Sequence, residues 1–157
     1  RRVLFRSART KVPYILMHSR GSVRSQDPKA SYDDVVEDVI AELTTLRDRF
    51  YEAGVTPEQI ILDPGLGFAK NSEHDWALLR NVDRLTVLGH KVLIGASRKR
   101  FLGSLLTTAG KAAPPAERDS ATLATTALAA SQGVWAVRVH DVAANVDAVK
   151  VAAAWQG

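Results

Sequence analysis

Four near-continuous apolar runs punctuate the chain. Val12-Pro13-Tyr14-Ile15-Leu16-Met17-His18, Ile60-Ile61-Leu62, Val92-Leu93-Ile94-Gly95-Ala96 and Val134-Trp135-Ala136-Val137-Arg138-Val139 read as strands. Such runs, apolar at odd and even positions alike, suit a parallel sheet covered on both faces. The stretches between them carry helical spacing. Val35, Val36, Val39, Ile40, Leu43, Leu46 and Phe50 form one stripe. Ser31 is expected to start that helix, with Asp33 and Asp34 in its first turn, and Gly54 to stop it. Thr56-Pro57-Glu58 predicts a short helical turn, with Pro57 at a tolerated first position. Ser72 is expected to cap a second helix running to about Leu88. A helical piece begins near Arg98, and residues 110–115 form a loop. A longer helix spans about Asp119 to Gln132 and is stopped by Gly133, and a last one runs from about Ala144 to Trp155.

Strand and helix therefore alternate four times, at intervals of about 30–45 residues, which is the pattern of βαβ units. The predicted class is α/β, with about four parallel strands and four main helices. Right-handed crossovers bring the carboxyl ends of all four strands to one edge of the sheet. Sites of open sheets and barrels alike lie at that edge. A closed (β/α)8 barrel needs about 250 residues, and the chain has 157.

Three strand ends carry polar groups with chemical potential. Asp63-Pro64-Gly65-Leu66-Gly67-Phe68 follows the second run. As a turn it needs no function, since proline fixes φ and glycine accepts positive φ. As a site, a shielded Asp63 carboxylate can accept two N–H bonds from an amino-pyrimidinone edge. Gly65 and Gly67 permit close approach of a ligand, and Phe68 offers a flat ring. Ser97-Arg98-Lys99-Arg100-Phe101 follows the third run, where a surface charge cluster is the plainer reading and an anion or carbonyl site the functional one. Arg138-Val139-His140-Asp141 ends the fourth run. Arg138 and His140 alternate to one side, and burying Arg138 requires a phosphate or the Asp63 carboxylate as partner. Asp141 serves equally as a helix cap. His18 reads as a core histidine or a catalytic one. His18, His140 and Asp63 match no compact metal-ligand spacing. Ser97 has no obvious paired base, and no Gly-x-Ser-x-Gly elbow is present.

Charge changes the picture only at the front. The formal net charge is +4 and the pI is near 9.6, a balance that invites nucleic acid. Residues 1–11 hold Arg1, Arg2, Arg6, Arg9 and Lys11 without an acid. They are read as an unassigned basic tail, and residues 12–157, nearly neutral, as the folded unit. Neither a nucleic-acid nor a membrane partner is expected. No apolar run reaches the roughly 18 residues that span a bilayer, and no signal-peptide pattern opens the chain. Cysteine is absent, which excludes disulfides and thiolate metal sites and is compatible with the cytoplasm.

Taken together, these motifs resemble the dihydropteroate synthases of folate biosynthesis. The match lies in Tyr14-Ile15-Leu16-Met17-His18, in the run from Ile61 to Lys70, in Gly95-Ala96-Ser97-Arg98-Lys99-Arg100-Phe101-Leu102-Gly103, in Arg118-Asp119 and in Arg138-Val139-His140-Asp141-Val142. The resemblance implies a TIM barrel of which this chain is the C-terminal half. It implies condensation of 6-hydroxymethyl-7,8-dihydropterin diphosphate with p-aminobenzoate, with Mg2+ accompanying the diphosphate and sulfonamides competing for the p-aminobenzoate position. By the same resemblance Asp63 binds the pterin edge, and Lys99 reaches the pterin carbonyl and ring nitrogen. Met17, Phe68 and Gly95 line the slot. Arg138 stacks on the pterin and with His140 holds the diphosphate, while Ser97 and Arg100 flank the p-aminobenzoate end. The Asn that helps bind Mg2+, two mobile loops and further pterin ligands belong to the family's N-terminal half and are expected outside this chain. The isolated chain is expected to be inactive and the full-length form to be a homodimer. A pterin-dependent methyltransferase domain and a non-catalytic pterin-binding half-barrel are the alternative readings.

Overall fold

β1 (Tyr14–Met17), β2 (Ile60–Asp63), β3 (Lys91–Ile94) and β4 (Ala136–Val137) form one sheet in a computed structural model. The structure describes residues 7–21 and 28–157. Residues 1–6, with Arg1, Arg2 and Arg6 of the basic tail, and residues 22–27, within the polar stretch from Ser19 to about Ala30 that reads as a loop, lie outside the described residues. All pairings are parallel, with Met17 opposite Asp63, Leu62 opposite Val92 and Ile94 opposite Val137. Spatial order follows chain order without reversal. A doubly wound sheet reverses at a switch point, whereas a barrel wall does not. The predicted class, parallel (β/α) units, is therefore met.

The helices are α1 (Val35–Glu52), α2 (Ser72–Arg80), α3 (Asp83–Thr86), α4 (Arg100–Leu105), α5 (Asp119–Ser131) and α6 (Val142–Gln156). Their starts correct several expectations. α1 begins at Val35 rather than Ser31, because Asp34 is the cap and accepts from the N–H groups of Val36 at 2.8 Å and Glu37 at 3.1 Å. Asn71, not Ser72, caps α2 and exchanges bonds with His74. The helix expected to reach Leu88 breaks after Arg80. There the Asn81 side chain bonds back to the Ala77 carbonyl at 2.9 Å, a local bond that competes with helix continuation. α4 starts at Arg100 because Arg98 adopts a left-handed φ of 57°. The fourth strand is only two residues long, yet its ladder continues. Trp135 N–H donates to the Val92 carbonyl at 3.0 Å and Arg138 N–H to the Ile94 carbonyl at 2.9 Å. α6 starts two residues earlier than expected, with Asp141 as its cap.

The predicted stripe of α1 packs where its spacing requires. Val39 and Leu43 are fully buried, with Ile60, Leu62, Leu66, Leu78, Val92, Ile94, Phe101 and Leu102 in the same core. Residues 7–10 are helical, Ser7 is buried, and its carbonyl accepts from Gln59 Nε2 at 3.0 Å. Among the described residues no helix is long and apolar enough to cross a membrane. Truncating Leu43 to Ala should cost about 2–5 kcal/mol through the cavity it leaves. Removing the Asp34 cap by D34A should cost only about 1 kcal/mol. Urea denaturation of both variants checks that ranking.

Candidate functional site

Asp63 ends β2 and is 1% exposed. A carboxylate so buried needs partners, and it has two. Its Oδ1 accepts the Gly65 N–H at 2.8 Å, and its Oδ2 pairs with Arg138 Nη2 at 3.0 Å. Arg138 thus meets Asp63, one of the two expected partners, but it is not buried as expected: its side chain is 48% exposed at the end of a two-residue strand. The guanidinium lies across the bare backbone of Gly95, where a Cβ would come 2.6 Å from Arg138 Nη2.

The chain after Asp63 turns sharply under the end of β1. Gly65 has φ +67°, and a Cβ there would sit 1.8 Å from the His18 carbonyl oxygen. Only glycine tolerates both the angle and the approach. Phe68 N–H closes the turn on the Gly65 carbonyl at 3.0 Å. Lys99 crosses from the end of β3 to donate to the Leu66 carbonyl, and its ammonium stands 4.7 Å from the Phe68 ring centroid. Burial pulls the Lys99 pKa below its ordinary value.

Lys70 carries a role that no single-sequence signal gave it. It is 1% exposed and donates to His18 Nδ1 at 2.8 Å, the Gly65 carbonyl at 3.2 Å and the Phe68 carbonyl at 3.1 Å. His18 is the satisfied core histidine, held on its other nitrogen by Glu42 at 2.8 Å. Burial lowers the His18 pKa to about 4, assisted by the Lys70 charge. Asp75, also absent from the sequence reading, is 3% exposed and accepts the Gly67 N–H at 2.7 Å. Burial pushes its carboxyl up to about 6.

Ser97 does have a basic partner, contrary to the sequence reading. His140 Nδ1 lies 2.8 Å from its Oγ, and the His140 N–H donates to the same oxygen at 3.2 Å. The pair joins residues 43 apart, brought together by the β3–β4 register. Arg98 turns away from the site, forking onto Asp119 at 2.7 and 2.8 Å. Arg118 ties that corner down by donating to the carbonyls of Ala113 and Arg98.

A cavity of about 580 Å³ opens beside Lys99, lined by Gly67, Phe68, Asn71, Asp75, Arg100 and Phe101 among others. Of the predicted site residues it takes in Phe68, Lys99 and Arg100. Asp63, Gly95, Ser97, Arg138 and His140 follow or end strands β2, β3 and β4 and do not line it. Met17 faces Asp63 across the ladder and lines a second cavity of about 490 Å³ with His18, Arg20 and Glu42. Among the described residues no three His, Asp or Glu side chains converge as metal ligands. These residues do not fit a resident divalent cation.

The sequence model of the family described as pterin binding enzyme matches residues 2–140. The chain belongs to that family. It is 49% identical over 150 residues to dihydropteroate synthase of Mycobacterium leprae, an alignment covering 94% of this chain and 53% of the relative. The structure of Xanthomonas albilineans dihydropteroate synthase in complex with 7,8-dihydropteroate matches it with a TM-score of 0.87 at 38% identity, covering 98% of this chain and 54% of that one. The same bacterial protein with 4-aminobenzoic acid gives a TM-score of 0.88 at 38% identity, covering 98% and 53%. The chain thus spans about half the length of the relatives it matches, and its four parallel (β/α) units correspond to part of their fold.

The His18 shift gives a signed pH effect. The unfolded chain takes up this proton near 6.5 and the folded chain only near 4, so stability falls as pH drops through that window. Asp75 acts in the opposite sense below about 6. H18N removes the first effect. It should shrink the stability lost between pH 7 and pH 5 by about 2 kcal/mol, measured by urea unfolding at both values.

Proposed function

We propose that this chain is part of a dihydropteroate synthase. In that reaction the amine of p-aminobenzoate attacks the methylene of 6-hydroxymethyl-7,8-dihydropterin diphosphate. A C–N bond forms, the C–O bond to diphosphate breaks, and the amine gives up a proton. The observation that carries the reading is the buried Asp63 carboxylate, oriented by Gly65 and Arg138 beside a Lys99 ammonium that packs on Phe68.

In this reading Asp63 binds the amino-pyrimidinone edge, and Lys99 donates to the pterin carbonyl and ring nitrogen. Met17, Phe68 and Gly95 shape the slot. Positive character develops on the methylene as the leaving group departs, and a preorganised carboxylate stabilises it. Arg138, stacked on the pterin, and His140 meet the departing diphosphate. Ser97 orients His140, and Arg100 flanks the p-aminobenzoate end with Ser97. Mg2+ accompanies the diphosphate, with ligands from outside this chain, and sulfonamides compete with p-aminobenzoate. The full-length protein is a cytoplasmic homodimer. The apolar side chains of Val142, Val146, Val151 and Trp155, exposed along α6, support such pairing.

The isolated 157-residue chain should bind 6-hydroxymethylpterin weakly and turn over negligibly. In the full-length protein D63A and K99A should each lower kcat/KM on the order of 100- to 1000-fold, read as dihydropteroate formed from labelled p-aminobenzoate. Unchanged kinetics in either variant would overturn its assigned role. Methyl transfer from methyltetrahydrofolate without p-aminobenzoate would overturn the reaction.

A further inference from the structure

We propose that Lys70 and Asp75 are positioning residues that clamp the glycine turn 65–68, and so set Phe68 and Lys99 for both substrates. The proposal rests on the pterin-site reading of that turn. A turn with two glycines in the left-handed region has little conformational preference of its own, so its shape has to be imposed by its surroundings. Here charged groups impose it at successive backbone positions. Gly65 N–H goes to Asp63, Gly65 carbonyl to Lys70, Leu66 carbonyl to Lys99, Gly67 N–H to Asp75 and Phe68 carbonyl to Lys70. Only Asp63 and Lys99 are assigned to the ligand. Lys70 and Asp75 are buried against the turn, border the cavity beside Lys99, and are assigned to neither substrate.

The Lys70 contacts use its whole donor set. An ammonium has three N–H groups, and three acceptors surround it at 2.8–3.2 Å. Because Lys70 donates to His18 Nδ1, the histidine proton sits on Nε2 and points at Glu42. Glu42 is gripped by Arg20, whose guanidinium lies 3.8 Å over the Tyr32 ring. Tyr32 closes the circuit by donating to the Ala69 carbonyl at 3.0 Å. The clamp therefore reaches from the end of β1 through α1 to the turn. Misplacing reacting groups by about 1 Å costs on the order of 100-fold in rate, which is the scale at which a loosened turn should be felt.

The groups facing Lys70 are His18, Arg20, Tyr32, Asp63, His74, Asp75 and Lys99. Burial brings the Lys70 ammonium down to about 8. Deprotonation above that value removes one of the three donors, so pterin turnover should fall on the alkaline side. The Lys99 pKa is also lowered, and the variants separate the two.

The test uses the full-length protein and the variants K70M, D75L and D75N. Hydrogen–deuterium exchange at Gly67 and Phe68, steady-state kinetics from pH 6 to 10, and urea midpoints are measured together. K70M and D75L should speed exchange in the turn by about tenfold or more and lower kcat/KM about 10- to 100-fold. D75N keeps an acceptor for the Gly67 N–H and should restore most of what D75L loses. The alkaline limb near pH 8 should vanish in K70M. Wild-type exchange and kinetics in K70M would overturn the proposal. So would a loss in K70M that follows the urea midpoint while the alkaline limb persists. A wild-type protein that makes no dihydropteroate would sink the reaction reading, whereas the exchange data would still decide the clamp.

Discussion

The backbone of Gly65 passes so close under the His18 carbonyl that no side chain can stand between them. The rest of the site follows from that contact. It brings the turn after β2 beneath the end of β1, which puts the Gly65 N–H on Asp63 and the Gly65 carbonyl on Lys70. It also leaves Lys70 within reach of His18. A β-carbon at residue 65 would push the two strand ends apart and separate these groups at once. The constraint is steric, and the charged network is arranged around it.

Electrostatics at the site is a matter of pairing rather than of net charge. Asp63 and Arg138 neutralise each other at the strand ends, while Lys70 lies between histidine and carbonyl acceptors. Asp63 and Lys70 are held where desolvation is costly and have the hydrogen-bond partners that burial demands, whereas the Arg138 side chain stays half exposed. Arg98 and Asp119 make a similar pair at the surface, where the coupling is worth far less. Basic residues close together in the Ser97–Arg100 run therefore have different fates. Lys99 turns inward to the glycine turn, Arg98 outward to α5, and Arg100 to the cavity rim.

Much of the fold was legible because parallel βαβ units write themselves as apolar runs at regular intervals. Helix ends were less so. Ser31 and Ser72 looked like caps, but Asp34 and Asn71 hold those positions, since neighbouring small polar residues compete and only backbone geometry chooses. Asp63, Lys99 and Arg138 could be singled out as polar residues ending apolar runs. The Ser97–His140 pair could not, because it depends on strand register across 43 residues. Lys70 and Asp75 were hidden for a different reason. Lysine and aspartate are ordinarily exposed, and nothing local in a sequence marks the rare ones that a fold buries.

The sheet's two outer strands are not equivalent. β4 pairs over two residues and is followed by the charged Arg138, whereas β1 offers four residues, Tyr14–Met17, with no charge among them. Ile15 and Val12 are exposed there. Among the described strands β1 pairs only with β2, and an uncharged outer strand is a template for joining other chains. A second strand laid along β1 would therefore meet less electrostatic resistance than one laid along β4, so the two sides of the sheet differ in how readily they extend.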